Sequence, residues 1–88
     1  MFLHIGGDYT VSDKWIIGIF DLDKTTEEMS RTWDYLVAQE KAGRLEWIQV
    51  DLPRSFIVTL DRVYLSPINS KTLIARMESQ REGIYDTE

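Results

Sequence analysis

The chain has 88 residues, 43% of them apolar and 28% charged, with ten Lys and Arg against fifteen Asp and Glu. A chain this short buries only about 60% of the surface its unfolded form exposes, so one small domain of marginal stability is the expectation. No cysteine and a single histidine, His4, exclude disulfides, thiolate metal sites, cysteine nucleophiles and histidine-pair zinc sites.

Taken in order, Phe2 to Ile5 is a short apolar strand closed by the turn signal Gly6-Gly7-Asp8. In it His4 alternates with Phe2 between apolar neighbours, as a sheet residue with a local hydrogen bond does. This stretch has no basic leader and is too short for a signal peptide, and no later run approaches a membrane span, so a cytoplasmic location without a membrane partner is expected. Tyr9 to Val11 reads as a second strand, and the β-branched and aromatic run Trp15 to Phe20 as a buried third. Thr25-Thr26-Glu27-Glu28 has the form of a helix start, Thr25 accepting from the Glu28 amide and the Glu28 carboxylate reaching back. Met29, Trp33, Leu36 and Val37 then fall on one apolar stripe. Gly43 supplies a left-handed stop, with Lys41 and Arg44 at the negative end of the helix.

Three strands follow. Leu45 to Val50 alternates and is broken by Asp51-Leu52-Pro53-Arg54. Ser55 to Leu60 and Val63 to Ser66 form a hairpin turning at Asp61-Arg62. Pro67 stops the last strand, and Asn69 or Ser70 caps a final helix with Leu73, Ile74 and Met77 inward. Trp15, Trp33 and Trp47 are each spaced as core residues. The expected fold is α+β: one small domain over residues 1–82 with two helices on an antiparallel or mixed sheet of five to six short strands, and an acidic tail at 83–88.

Charge is uneven along this frame. Residues 1–51 carry five basic and ten acidic residues, net −5; residues 52–81 carry five basic and two acidic, net +3; residues 82–88 are net −3. A basic segment bracketed by acid sets a local potential that the total of −5 conceals. Within it, Arg54 and the stretch from Ser66 to Arg76 gather cations, small hydroxyls and backbone donors, the groups that phosphate contacts require.

One short motif suggests a different chemistry. Asp21-Leu22-Asp23-Lys24-Thr25, after an apolar strand, resembles the first motif of the haloacid dehalogenase-like phosphatases. That resemblance would make Asp21 the phosphoryl nucleophile and Asp23 the acid/base, with Thr59 and Lys71 on phosphate. The remainder of that family's pattern is missing. Its Mg²⁺-binding acids would have to be Asp86 and Glu88, in the tail, and its parallel sheet needs crossover helices that the consecutive strands at 45–66 leave no room for. Asp-x-Asp before a Thr cap also suits a helix start. A phosphatase is therefore only a distant third reading; no enzymatic activity, cofactor, metal or small-molecule substrate is expected.

Phe2-Leu3-His4-Ile5-Gly6-Gly7-Asp8, Ile16-Ile17-Gly18-Ile19-Phe20-Asp21, Pro53-Arg54-Ser55-Phe56-Ile57-Val58-Thr59 and Val63-Tyr64-Leu65-Ser66-Pro67-Ile68-Asn69-Ser70-Lys71-Thr72-Leu73 resemble the bacterial extracellular matrix regulatory proteins (RemA/RemB), most closely the B type. The resemblance runs from residue 1 to about Arg76. It implies a LytTR-like fold, assembly into a ring or other homo-oligomer, and binding of double-stranded DNA in the regulation of biofilm matrix genes. The A type has several arginines just before the strand matching Phe56–Thr59. Here Asp51-Leu52-Pro53-Arg54-Ser55 carries one. The expected function is an oligomeric DNA-binding transcriptional regulator that meets phosphates through Arg54, Ser55, Arg62, Lys71 and Arg76. The alternative, motivated by the acidic first half and the reduced arginine stretch, is an oligomeric protein-interaction module without DNA binding.

Overall fold

Phe56, Ile57 and Val58 are apolar without alternation, the pattern of a strand covered on both faces, and this run becomes one of the two central strands of the main sheet. The computed structural model describes residues 1–23, 28–49 and 51–86. Strands β1 (Phe2–Gly6) and β2 (Tyr9–Ser12) form an antiparallel hairpin. A single 3-10 turn at Asp13–Trp15 leads into β3 (Ile16–Asp21). Helix α1 (Glu28–Lys41), β4 (Leu45–Trp47), β5 (Ser55–Thr59), β6 (Val63–Ser66) and α2 (Ser70–Asp86) complete the order. Helix α2 includes residues that the sequence assigned to the acidic tail.

The α+β class holds, with two helices and six short strands, and the strands divide between two sheets. The main sheet has the order β3-β5-β6-β4, with β3/β5 and β5/β6 antiparallel and β4/β6 parallel. The hairpin β1-β2 is a separate two-stranded sheet that covers one face of it together with α2. Between them lie Leu3, Ile5, Val11, Ile57 and Leu73, with Tyr64, Ile68 and Met77 against their rim. On the opposite face Leu36 of α1 meets Leu22, Phe56, Val63 and Leu65. Successive residues of β5 thus serve opposite layers, Phe56 toward α1 and Ile57 toward α2, as the period of two demands.

Local signals act as expected at several ends. Gly43 has φ +73° and donates to the Glu40 carbonyl while Arg44 donates to that of Gln39, which closes α1 with a left-handed residue. Asn69 rather than Ser70 caps α2: its side chain accepts from the Thr72 amide at 2.8 Å. The β5–β6 turn needs no glycine because the Thr59 hydroxyl accepts from the Arg62 amide at 3.2 Å and donates to the Arg62 carbonyl at 2.8 Å.

Other expectations require correction. Trp15, Trp33 and Trp47 are not core residues; they are 49%, 41% and 47% exposed. On α1 only Leu36 of the described stripe is fully buried, and Val37 is exposed, as is Ile74 on α2. Spacing identifies which side of a helix is apolar, but β4, against which α1 lies, is only three residues long and leaves that side partly uncovered. β4 also ends three residues before the expected Val50, although the Ile48 amide still donates to the Leu65 carbonyl. The Thr25 cap with its Glu28 partner, the side chain of Met29, and Val50 lie outside the described residues.

Candidate nucleic-acid interface

The five residues predicted to contact phosphate are divided by the topology. Arg54 precedes β5, and its amide donates to the Ser66 carbonyl at 2.8 Å, while its own carbonyl accepts from Leu22 at 3.0 Å. Ser55 donates its hydroxyl to the Ile68 carbonyl at 2.6 Å. These bonds set Arg54 beside the segment that starts α2, and Lys71 is exposed in the first turn of that helix. One end of the main sheet therefore carries both cations.

Ser55 itself is fully buried. With its hydroxyl donated to Ile68 and no exposed surface, it fixes the approach of Arg54 and is not placed to meet a phosphate. Arg62 lies at the other end of β5, a strand length of roughly 15 Å from Arg54 at about 3.3 Å per residue. There its guanidinium is 3.6 Å from carboxylate oxygens of both Glu46 and Asp61. Glu46 also accepts from the Tyr9 hydroxyl at 2.8 Å, which pushes the Tyr9 phenol above its ordinary value. Burial similarly raises Tyr64. Arg62 is thus the cation of a local network with two carboxylates.

Arg76 sits midway along α2, where it reaches back to β1. Its Nη1 donates to the His4 carbonyl at 3.2 Å and lies 3.4 Å from His4 Nδ1. His4 Nε2 is 2.8 Å from the Gly7 carbonyl, the local hydrogen bond that the alternation suggested. The Gly7 carbonyl can only accept, so Nε2 is the donor in that bond. A groove of about 530 Å³ runs here between β1 and α2, lined by His4, Thr72, Ala75, Arg76, Ser79 and Gln80.

The aspartate pair has a structural role in this arrangement. β3 is an edge strand, antiparallel to β5, where the phosphatase motif requires a strand within a parallel sheet. Asp21 accepts from the Asp23 amide at 2.7 Å, and Asp23 pairs with Arg54 at 3.2 Å. Among the described residues no group of three or more His, Asp or Glu side chains gathers as a metal site, and no helix is long and apolar enough to cross a membrane.

Sequence reasoning missed the exposed apolar surface. Leu52, Phe2, Leu60 and Ile17 are 84%, 69%, 66% and 65% exposed. A signal was present for Leu52, which lies in the break before β5. Leu60, expected to end its strand, lies just beyond β5, which stops at Thr59, and Phe2 and Ile17 were hidden by strand patterns that look the same whether a face is covered or open. A second groove, of about 460 Å³, opens between β3, β5 and α1 and is lined by Ile17, Phe20, Arg31, Thr32, Tyr35, Phe56 and Val58.

A family model described as extracellular matrix regulatory protein A-like matches residues 2–77. Extracellular matrix regulatory protein B of Bacillus subtilis (strain 168) is 32% identical over 82 residues, covering 89% of this chain and 91% of that protein. The matched span takes in the β1–β2 hairpin, the whole main sheet, both cations at its end and α2 through Met77, so the similarity extends over the entire framework that positions them. The chain belongs to the extracellular matrix regulatory protein A-like family.

Proposed function

We propose that this chain is a self-associating DNA-binding regulator of extracellular matrix genes, meeting phosphates with the end of the domain that carries Arg54 and Lys71. The observation that carries the reading is the exposure of these two cations on either side of the Ser66–Ser70 segment, anchored by main-chain bonds to a buried strand. A cation on a rigid support loses less freedom when a phosphate docks. Arg76 lies farther along α2 and extends the basic surface, whereas Arg62 is held among carboxylates at the opposite end and contributes least. Self-association is supported by the exposed apolar side chains Phe2, Ile17, Leu52 and Leu60, surface that a second copy would cover. Repeated copies would also multiply the few phosphate contacts that each subunit offers.

The test is a titration into fluorescent duplex DNA at low and physiological salt, followed by anisotropy. Binding that weakens steeply with salt, and that Arg54→Glu abolishes without lowering the melting temperature, is the expected result; each phosphate contact contributes about one unit to the salt slope. Failure of the folded protein to bind at low salt rejects the reading. A second reading, an interaction module that binds a protein and no DNA, is favoured by the Asp23–Arg54 ion pair, which partly neutralises the one arginine at this end. Recovery of a stoichiometric protein partner after nuclease treatment would support it.

A further inference from the structure

The groove between β3, β5 and α1 combines two features seldom left open on a small domain. Its wall is aromatic: Phe20 and Phe56 stack with ring centroids 4.9 Å apart and planes 18° from parallel, and Tyr35 stands 6.3 Å from Phe56. Phe56 forms the buried floor, while Phe20 and Tyr35 expose 46% and 39% of their surface. Among the described lining residues the one charge is Arg31, four residues before Tyr35 and hence on the same face of α1. Among the described residues no ion pair engages Arg31.

We propose that this groove binds a flat aromatic small molecule bearing a single carboxylate, with the ring against Phe20 and Tyr35 and the carboxylate on the Arg31 guanidinium. The volume of about 460 Å³ falls in the range of small-molecule sites, which are mainly apolar with a few polar groups that orient the ligand. The nearly parallel Phe20–Phe56 pair favours a planar ring over a branched apolar group, because offset stacking continues the existing arrangement. A guanidinium recognises a carboxylate by two parallel hydrogen bonds and has no deprotonated state at working pH. An acidic residue or a lysine among the lining groups would argue for a different ligand, and among the described residues the lining has neither. The site lies on the α1 face of the main sheet, opposite the face covered by α2 and the β1–β2 hairpin, and its occupancy does not depend on DNA binding.

The experiment uses the intact chain and two probes of equal shape, 2-naphthoate and the neutral 2-naphthalenemethanol, followed by backbone amide chemical shifts. The expected result is saturable binding of 2-naphthoate centred on Phe20, Tyr35 and Phe56, about tenfold tighter than the neutral probe, the margin of a hydrogen bond to a charged group. Arg31→Gln, at an exposed position, should leave the melting temperature unchanged and make the two probes equal. Equal binding of both probes to the unaltered chain, or shifts centred on other apolar patches, would overturn the proposal. So would failure of 2-naphthoate to bind until Ile17→Glu breaks an assembly seen by sedimentation, since the groove would then be occupied by a second copy.

Discussion

The Asp23 carboxylate holds the Arg54 guanidinium at 3.2 Å from Nη2 and 3.3 Å from Nε. The second aspartate of the Asp-x-Asp motif is therefore the counterion of the arginine proposed to meet DNA. Any phosphate that docks on Arg54 must compete with it. Because both side chains are about half exposed, the pair itself contributes only about 0–1 kcal/mol to stability. Asp23→Asn should raise DNA affinity about threefold to tenfold at low salt, with less gain as salt screens the lost charge. Anisotropy titrations of the two proteins, with melting curves as controls, check this.

Asn69 begins α2 with a side-chain bond to the Thr72 amide. Asn69→Ala should cost about 1 kcal/mol, a fall of roughly 4–8 °C in Tm for a domain of this size. Thermal unfolding followed by far-ultraviolet circular dichroism measures it.

Ser66 joins two layers. Its fully buried hydroxyl donates to the Ile5 carbonyl at 2.6 Å and accepts from the Ile68 amide at 3.0 Å. Ser66→Ala leaves a buried donor and a buried acceptor without partners, a loss of about 1–3 kcal/mol. Urea unfolding should show a lower midpoint with an unchanged slope.

Gly6 has φ +127°, and a Cβ built on it would lie 3.0 Å from Cδ of Pro67. Gly43, at φ +73°, faces open space. Gly6→Ala combines strain with a clash against a rigid ring and should destabilise by more than about 1 kcal/mol, whereas Gly43→Asn should cost only a few tenths. The pair compared under one urea titration separates packing from backbone preference.

The Tyr9–Glu46 hydrogen bond raises the Tyr9 phenol above its ordinary value. A raised value favours the neutral, donating form in the folded state. Its stabilisation is complete below the ordinary tyrosine range and is lost as the pH climbs through the folded value. Stability should therefore fall on the alkaline side, and Tyr9→Phe should fall less steeply there. Urea midpoints as a function of pH, with phenolate absorbance recorded alongside, check the sign.

Much of the framework was legible because it rests on short-range chemistry. The β5 run, the Gly43 stop, the Ser-Pro break at Ser66-Pro67 and the helix start at Asn69 or Ser70 each act over a few residues. The three tryptophans were misassigned because apolar spacing records which residues share a face and not whether another layer reaches it. Val37 and Ile74 follow the same rule. For the basic segment, proximity in sequence put Arg54, Arg62, Lys71 and Arg76 together, and the β5–β6 hairpin then carried Arg62 to the far end.

The sequence by itself determined the α+β class, the element order, the absence of thiol chemistry and a resemblance whose family the comparison over residues 2–77 then showed. Only the tertiary structure decided that Arg54 and Lys71 share one end, that Ser55 is a buried support, that Arg62 is held by carboxylates, and that an aromatic groove with one arginine stays open beside α1. The physical reason is that strand and helix signals arise from neighbours a few residues apart. Charge pairing and surface exposure depend instead on residues such as Asp23 and Arg54, brought together across 31 positions by the pairing of β3 with β5.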